Sequence, residues 1–381
     1  MNDVDVLIVG AGPTGLTLAA SLLHDGIGVL LVDRQAEGAN TSRAAAVNAR
    51  TLEVLERVDV TRRLVEEGIA APRFSIRDGD TVLVPIDFGG LDTDYPYTLL
   101  IPQNATERLL LERVRELGGD VVRGLTLVAF SEGHDGVTAT FDDGDVIHAR
   151  YLVGTDGMHS TVRERAGIAF EGSTYEQEFV LADAALRGAT PDDTPTDEVR
   201  LFWAREGLTV VAPLPDGTFR IVAPVDDAPA HPDVRFVQHL LDGRGPGGIT
   251  AVDVTWGSRF RVHHRVAETY RRSRVLLAGD AAHVHSPAGG QGMNLGIQDA
   301  VALGDALVRV LRGGPDALLD EYADSRRPIA LQVIELTDRL TRLATLPGAL
   351  RPVRNVALRT IGRIPAVRNG LASRLSGLVH R

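Results

Sequence analysis

The sequence predicts an α/β (α+β) chain, in which a Rossmann-like parallel core is joined to a second, mostly antiparallel β-sheet and followed by C-terminal helices. Three observations predict it. The apolar run Val4–Val9 meets Gly10, Gly12 and Gly15 at G-x-G-x-x-G spacing, and a helical apolar pattern follows through Leu16, Leu18, Ala19, Leu22 and Leu23. Two later apolar runs, Tyr151–Gly154 and Arg274–Ala278, each end next to a carboxylate, Asp156 and Asp280. Between them, 177–227 and 249–260 read as successive strands with only one short helix, the pattern of an antiparallel sheet.

Each part of the first element has a physical reason. Gly10 permits the tight turn, Gly12 lets backbone approach a pyrophosphate, and Gly15 lets the helix pack closely on the strand. The free N–H groups and positive dipole end of that helix face the phosphates. A second apolar run, Val29–Val32, ends at Asp33, near the ~20-residue offset at which an acid hydrogen-bonds an adenosine ribose.

After a polar stretch from Arg34 to Ser42, Leu52, Val54, Leu55 and Val58 form a helical apolar face that starts just beyond Arg43. Arg43 could meet a cofactor phosphate or carbonyl there; the position equally suits a solvated loop arginine. Residues 73–88 read as a hairpin turning at Gly79. Gln103 opens a helix announced by Pro102 and Asn104, with its amide able to reach a ligand or simply to begin the helix. Strands then alternate from Val121 through Leu127 and Val137 to the buried run at Tyr151. Within the strand-rich segment, Asp233–Leu241 is a short amphipathic helix. The Gly243–Gly248 run repeats the glycine spacing but follows a helix, so it reads as a loop and not as a second nucleotide site.

Beyond Asp280 lie His283, His285, Pro287, Gly290, Gly292, Met293 and Asn294, then a helix through Leu295, Val301, Leu303 and Leu307. A glycine-rich loop feeding a helix N-terminus is a second device for stabilising negative charge. The two histidines lack an evident third ligand, so no metal is expected. Glu321–Leu343 is helical, and the basic segment from Leu350 to Leu378 reads as a packing helix.

Composition bounds the function. The chain has 381 residues, enough for two domains. A net charge of −11 argues against nucleic acid. No apolar run reaches the ~20 residues of a membrane span and no basic region precedes the first apolar stretch, so the expectation is a cytoplasmic protein without stable membrane association. The absence of Cys excludes redox chemistry through a cysteine pair.

Taken together, Gly10–Gly15, the Gly154-x-Asp156-Gly157-x-x-Ser160-x-x-Arg163 stretch and the Gly279-Asp280 loop through Asn294 resemble the group A FAD-dependent aromatic monooxygenases (p-hydroxybenzoate hydroxylase-like and polyketide aromatic hydroxylase-like), over about residues 1–345. The resemblance implies that Gly10, Gly12, Gly15, Asp33 and Arg34 hold the ADP part of FAD. It further implies that Arg43 and Gln103 contact the flavin, that Leu127 lies near the adenine, and that Asp156 and Gly157 contact FAD and NADPH or NADH. Asp280 would meet the ribityl chain, while Pro287, Gly290, Gly292, Met293 and Asn294 surround the ring.

No catalytic side chain is implied, since the chemistry is the flavin's: hydride transfer from NAD(P)H, reaction with O₂, and oxygen transfer to an aromatic substrate through a C4a-hydroperoxide. The implied domains are 1–72, 96–176 and 266–345 for FAD, 73–95 and 177–265 for the substrate, and 346–381 as a helical tail too short for the thioredoxin-like domain many polyketide hydroxylases carry. A monomer or homodimer is expected. Another FAD oxidoreductase on the same scaffold, a lipid-type reductase or an epoxidase or Baeyer–Villiger enzyme, and a non-catalytic flavin-binding protein remain as alternatives.

Overall fold

The computed structural model describes residues 3–38, 44–245, 247–286, 289–344, 346 and 348–381. Its first sheet contains, in spatial order, Arg271–Arg272, Val275–Leu277, Val146–Gly154, Asp3–Val9, Val29–Asp33 and Val121–Arg123. The four central joints, from Val275–Leu277 across to Val121–Arg123, are parallel. Leu7, Ile8, Leu152, Val153, Leu276 and Leu277 are fully buried, which is why these strands read as unbroken apolar runs rather than alternating ones. Each such side chain contributes about 1.5–3 kcal/mol by burial.

Register decides what this sheet presents at its edge. Val9 pairs with Val32 on one side and Gly154 on the other, and Gly154 pairs with Leu277. The loops that begin at Gly10, Thr155 and Ala278 therefore leave the sheet side by side. Helix Pro13–His24 follows the first loop and packs against helix Gly292–Leu311, where a Cβ on Gly304 would come within 3.0 Å of the Ser21 Cβ.

The second sheet has eight strands in the order His283–Val284, Thr250–Ala267, Phe170–Arg187, Phe219–Val225, Gly207–Pro213, Glu198–Ala204, Arg73–Asp78 and Thr81–Asp87. It is mostly antiparallel, as expected; Glu198–Ala204 runs parallel to Arg73–Asp78. Phe170–Arg187 and Thr250–Ala267, 18 residues each, form one ribbon that passes through both expected boundaries, at 176/177 and 265/266. Polar residues such as Glu171, Ser173, Arg261, His264 and Arg265 occupy that end of the ribbon, so no apolar alternation marks it as strand.

Two local readings change. Ala46–Val47 is a strand paired with Thr98–Leu100, and the helix starts only at Ala49, with the Asn48 Oδ1 accepting the Thr51 N–H at 2.9 Å; Val58 lies in a following 3₁₀ turn. The capping asparagine outweighs the alanine run before it. The basic tail is two helices, Arg351–Ile361 and Pro365–Leu375, broken where Pro365 opens the second. Leu358, Leu371 and Leu375 pack on a cluster containing Leu83 and Phe88, whereas Val353 and Val356 are 69% and 65% exposed, so only part of the tail packs. Helix Val234–Arg244, capped by Asp233, runs through Gly243 and ends at Gly245, so these two glycines belong to a helix end and not to a strand-to-helix turn.

Candidate cofactor and substrate site

A cleft of about 570 Å³ opens at the carboxyl end of the parallel sheet, the place where open α/β sheets bind ligands. Three loops meet there and interlock. The Thr155 Oγ1 donates to the carbonyl of Gly10 at 2.7 Å. A Cβ on Gly10 would lie 2.4 Å from the Thr155 oxygen, and φ of +107° adds strain for any other residue. Arg163, 8% exposed, donates to the carbonyls of Met158 and Ala281, both at 2.8 Å, and so joins the second loop to the third. Gly279, at φ +61°, lets the third loop pass Thr14, whose Oγ1 would lie 2.5 Å from a Cβ there.

Of the residues singled out by sequence, Gly12, Arg34, Gln103, Asp156, Gly157, Asp280, Gly290, Gly292, Met293 and Asn294 line this one cleft. Gly10, Gly15, Asp33 and Leu127 do not. Gly10 and Gly15 lie behind it, where a Cβ on Gly15 would sit 1.9 Å from the Gly10 oxygen. Asp33 holds the glycine loop: its carboxylate accepts the N–H of Ala11 at 2.7 Å and of Gln35 at 2.8 Å. Leu127 is 3% exposed in the core. Arg43 and Pro287 lie outside the described residues.

The lining suits a dinucleotide. A Cβ on Gly12 would meet nothing within 4 Å, so this backbone faces open space at the start of helix Pro13–His24. The Asp156 Oδ2 accepts the Val162 N–H at 3.2 Å, while its buried Oδ1 has no hydrogen-bond partner. Burial pushes this carboxyl above its usual range, against the hydrogen bonds that favour its charge. A ligand hydroxyl would satisfy the orphaned oxygen. Gln103 accepts the Ala44 N–H at 3.1 Å and donates to Glu107 at 2.8 Å, leaving one amide hydrogen for the cleft. Those two groups, a carboxylate that accepts and an amide that donates, can hydrogen-bond the hydroxyls of a polyol.

Several partners that shape the site, Asn48, Gln291, Asp299, Arg326 and Arg220, escaped sequence reasoning. Asn294 is held by Ala46 and Gly290, whose carbonyls accept from its Nδ2 at 2.8 and 2.7 Å, while its Oδ1 accepts the Asn48 N–H at 2.8 Å. Asn48 also donates to Gln291 at 3.2 Å. Beneath the third loop, Asp299 accepts from the Arg326 Nε at 2.6 Å and lies 2.6 Å from the His283 Nε2. His283 is thus engaged in a buried pair, and among the described residues no group of three or more His, Asp or Glu could hold a metal ion. In the second sheet Arg220, 3% exposed, makes a two-point contact with Asp183 at 2.8 and 2.6 Å and donates to the Ala44 carbonyl at 2.7 Å. An arginine inside the otherwise apolar strand Phe219–Val225 was its sequence signal.

A parallel sheet whose strand ends converge on one cleft, beside a second sheet that supplies apolar lining, defines a dinucleotide-binding oxidoreductase architecture. Residues 3–337 match the FAD binding domain family. The chain is 38% identical over 359 residues to a rifampicin monooxygenase of Streptomyces venezuelae, covering 90% of this chain and 72% of that protein. It is also 38% identical over 392 residues to 12-dehydrotetracycline 5-monooxygenase/anhydrotetracycline 6-monooxygenase of Streptomyces rimosus, covering 98% and 76%. Among solved structures, an anhydrotetracycline hydroxylase from Streptomyces rimosus superimposes with TM-score 0.82 at 37% identity, over 99% of this chain and 76% of that one. A p-nitrophenol 4-monooxygenase from Pseudomonas putida does so with TM-score 0.88 at 26% identity, over 99% of each chain. The chain belongs to the group A FAD-dependent monooxygenases.

Proposed function

We propose that this flavin-dependent monooxygenase hydroxylates an aromatic or polyketide-like small molecule, consuming NADPH or NADH and O₂. The observation that carries the reading is the two-sided lining of the cleft. Gly12, Asp156 and Asp280 line it from the strand-end loops, and Phe74, Leu201 and Phe260 of the second sheet, with Phe88 just after its last strand, provide apolar surface. A flat apolar ligand finds rings to stack on there, and burial of that surface excludes water. The relatives are named for rifampicin, anhydrotetracycline and p-nitrophenol, ligands of the same class.

Bound FAD would supply hydride acceptance and oxygen transfer. The chain's own residues position it. The N–H groups that open helix Pro13–His24 would face the pyrophosphate. Asp33 keeps a lone pair on each oxygen for the ribose, Asp156 offers its orphaned Oδ1, and Asp280 would take the ribityl chain. The N-terminus of the 20-residue helix Gly292–Leu311 would stabilise negative charge on the reduced ring. Arg43 and Pro287 keep their proposed roles against the flavin, and Leu127 its role as backbone near the adenine. Residues 1–72, 96–176 and 266–345 would serve the cofactor, and 73–95 and 177–265 the substrate. For a phosphate of the nicotinamide donor, Arg261 at the cleft would supply a cation and His159 a ring nitrogen for hydrogen bonding.

The purified holoenzyme tests this with a panel of phenols and polycyclic aromatics. An active ligand is expected to stimulate NAD(P)H oxidation with matching O₂ uptake and a product one oxygen atom heavier. NAD(P)H oxidation without O₂ uptake would mark a reductase instead, and a yellow protein that no panel member stimulates would contradict the reading.

A further inference from the structure

The cleft has one wall that comes from the C-terminal tail, which lies beyond the matched family region. Leu375, the last residue of helix Pro365–Leu375, lines it. We propose that Leu375 is a specificity-determining residue, setting how large an aromatic ligand the cleft admits; this rests on the aromatic-hydroxylation reading. The Leu375 Cδ2 would be 3.8 Å from a Cβ on Gly289, and its carbonyl accepts the Gln291 Nε2 at 2.9 Å. It therefore adjoins the Gly289–Gln291 loop. On its other side it packs against the apolar cluster that contains Phe88 and Leu201, both of which also line the cleft. Leu375 thus closes the corner between the loop next to helix Gly292–Leu311 and the apolar sheet.

The corner is held firmly. The Arg50 N–H donates to the Ser376 carbonyl at 3.0 Å. Gly377, at φ +73°, brings the chain against Asn48, whose Nδ2 would lie 2.9 Å from a Cβ there. Arg381 pairs with Glu53 and donates to the Asp92 carbonyl at 2.7 Å. Asn48 and Gln291 are bonded to each other, so the tail and the loop form one network. Backbone anchored on Leu375 and on the residues after it keeps this helix end from moving away from a ligand, and a wall of fixed position selects by size.

The test uses FAD-loaded Leu375→Ala, Leu375→Met and Leu375→Trp proteins. p-Nitrophenol serves as a one-ring probe and anhydrotetracycline as a four-ring probe. Ligand Kd is read from the flavin absorbance change, alongside FAD Kd and melting temperature. Leu375→Trp is expected to weaken the four-ring probe about tenfold or more while p-nitrophenol stays within about threefold, and Leu375→Ala to shift the ratio of the two Kd values about tenfold the other way. Leu375→Met should restore the wild-type ratio, with FAD Kd unchanged in all three. An unchanged ratio in both Ala and Trp proteins, where the wild type binds the probes, overturns the proposal alone; so does a ratio that moves only together with FAD Kd. Wild-type holoenzyme that binds neither probe overturns it together with the aromatic-ligand reading.

Discussion

Asp299 and His283, 0% and 1% exposed, share a 2.6 Å contact beneath the loop that carries Asp280. Arg326 reaches the other carboxylate oxygen of Asp299 at 2.6 Å, and the Gly279 N–H points to the same oxygen as His283 at 3.3 Å. One buried carboxylate from helix Gly292–Leu311 thereby anchors the third strand-end loop to helix Ala317–Ala344. Removing it leaves Arg326 buried without its counter-charge. Asp299→Asn is expected to cost about 3–5 kcal/mol of stability, the range for breaking a buried pair from one side. Urea unfolding measures it, and a loss under about 1 kcal/mol would contradict the anchoring role.

The same group fixes a pH dependence. Burial opposes the charge on Asp299, but Arg326 and His283 outweigh it and hold the carboxyl below its usual 3.8. A carboxyl lowered in the folded state adds stability above 3.8 that is lost as pH falls through the folded value. Wild-type stability should therefore fall more steeply below pH 3.8 than that of Asp299→Asn, as urea titrations across that range would record. Parallel curves would contradict the assignment.

Asp156 has the opposite sign. Its folded carboxyl is raised by burial, so its contribution is favourable at low pH and lost as pH rises through the folded value. Asp156→Asn should leave the flavin-free protein as stable or more stable at pH 7 and weaken FAD or nicotinamide binding about tenfold, the scale of one lost hydrogen bond to a charged group. Thermal melts and FAD titration separate the two effects; a destabilised apoprotein with intact affinities would reject the ligand role.

The glycines of the first loop should divide in the same way. Gly10→Ala places a Cβ 2.4 Å from the Thr155 oxygen at positive φ, and should cost about 1–3 kcal/mol of folding stability. Gly12→Val places its side chain in the open cleft. It should leave apoprotein stability within about 0.5 kcal/mol and weaken FAD at least about tenfold. Equal effects of the two substitutions on stability would contradict the geometry.

Asp280 is exposed, so its replacement should not disturb the fold. Asp280→Ala is expected to purify with little bound flavin and an apoprotein melting temperature within about 2 °C of wild type. A fully yellow mutant would remove Asp280 from the cofactor site.

What was legible in the sequence is the part built from contiguous signals. Unbroken apolar runs ending in Gly10, Asp156 and Asp280 marked the parallel strands, and their shared register at Val9, Gly154 and Leu277 brings the three loops together. Asp299, Arg326, Asn48 and Gln291 were not legible, because each is an ordinary polar residue whose meaning lies in partners far away in the chain. Asn48 meets Asn294 across 246 positions. Leu375 was hidden for another reason: a leucine in a basic helical pattern reads as packing, and nothing local says that the helix end reaches a cleft. The strand at Ala46–Val47 was masked by its alanine run, whose helical propensity yields to pairing with Thr98–Leu100.

If the three strand-end loops around Gly12, Asp156 and Asp280 hold a single FAD, as proposed, a crystal structure of the FAD-loaded protein shows it. The expected result has the pyrophosphate within about 3 Å of the N–H groups of Gly12 and Thr14, a flavin hydroxyl on Asp280, and the Asp156 Oδ1 satisfied. Flavin density lying elsewhere, with Gly12 facing only solvent and the buried Asp156 Oδ1 still without a partner, would contradict it.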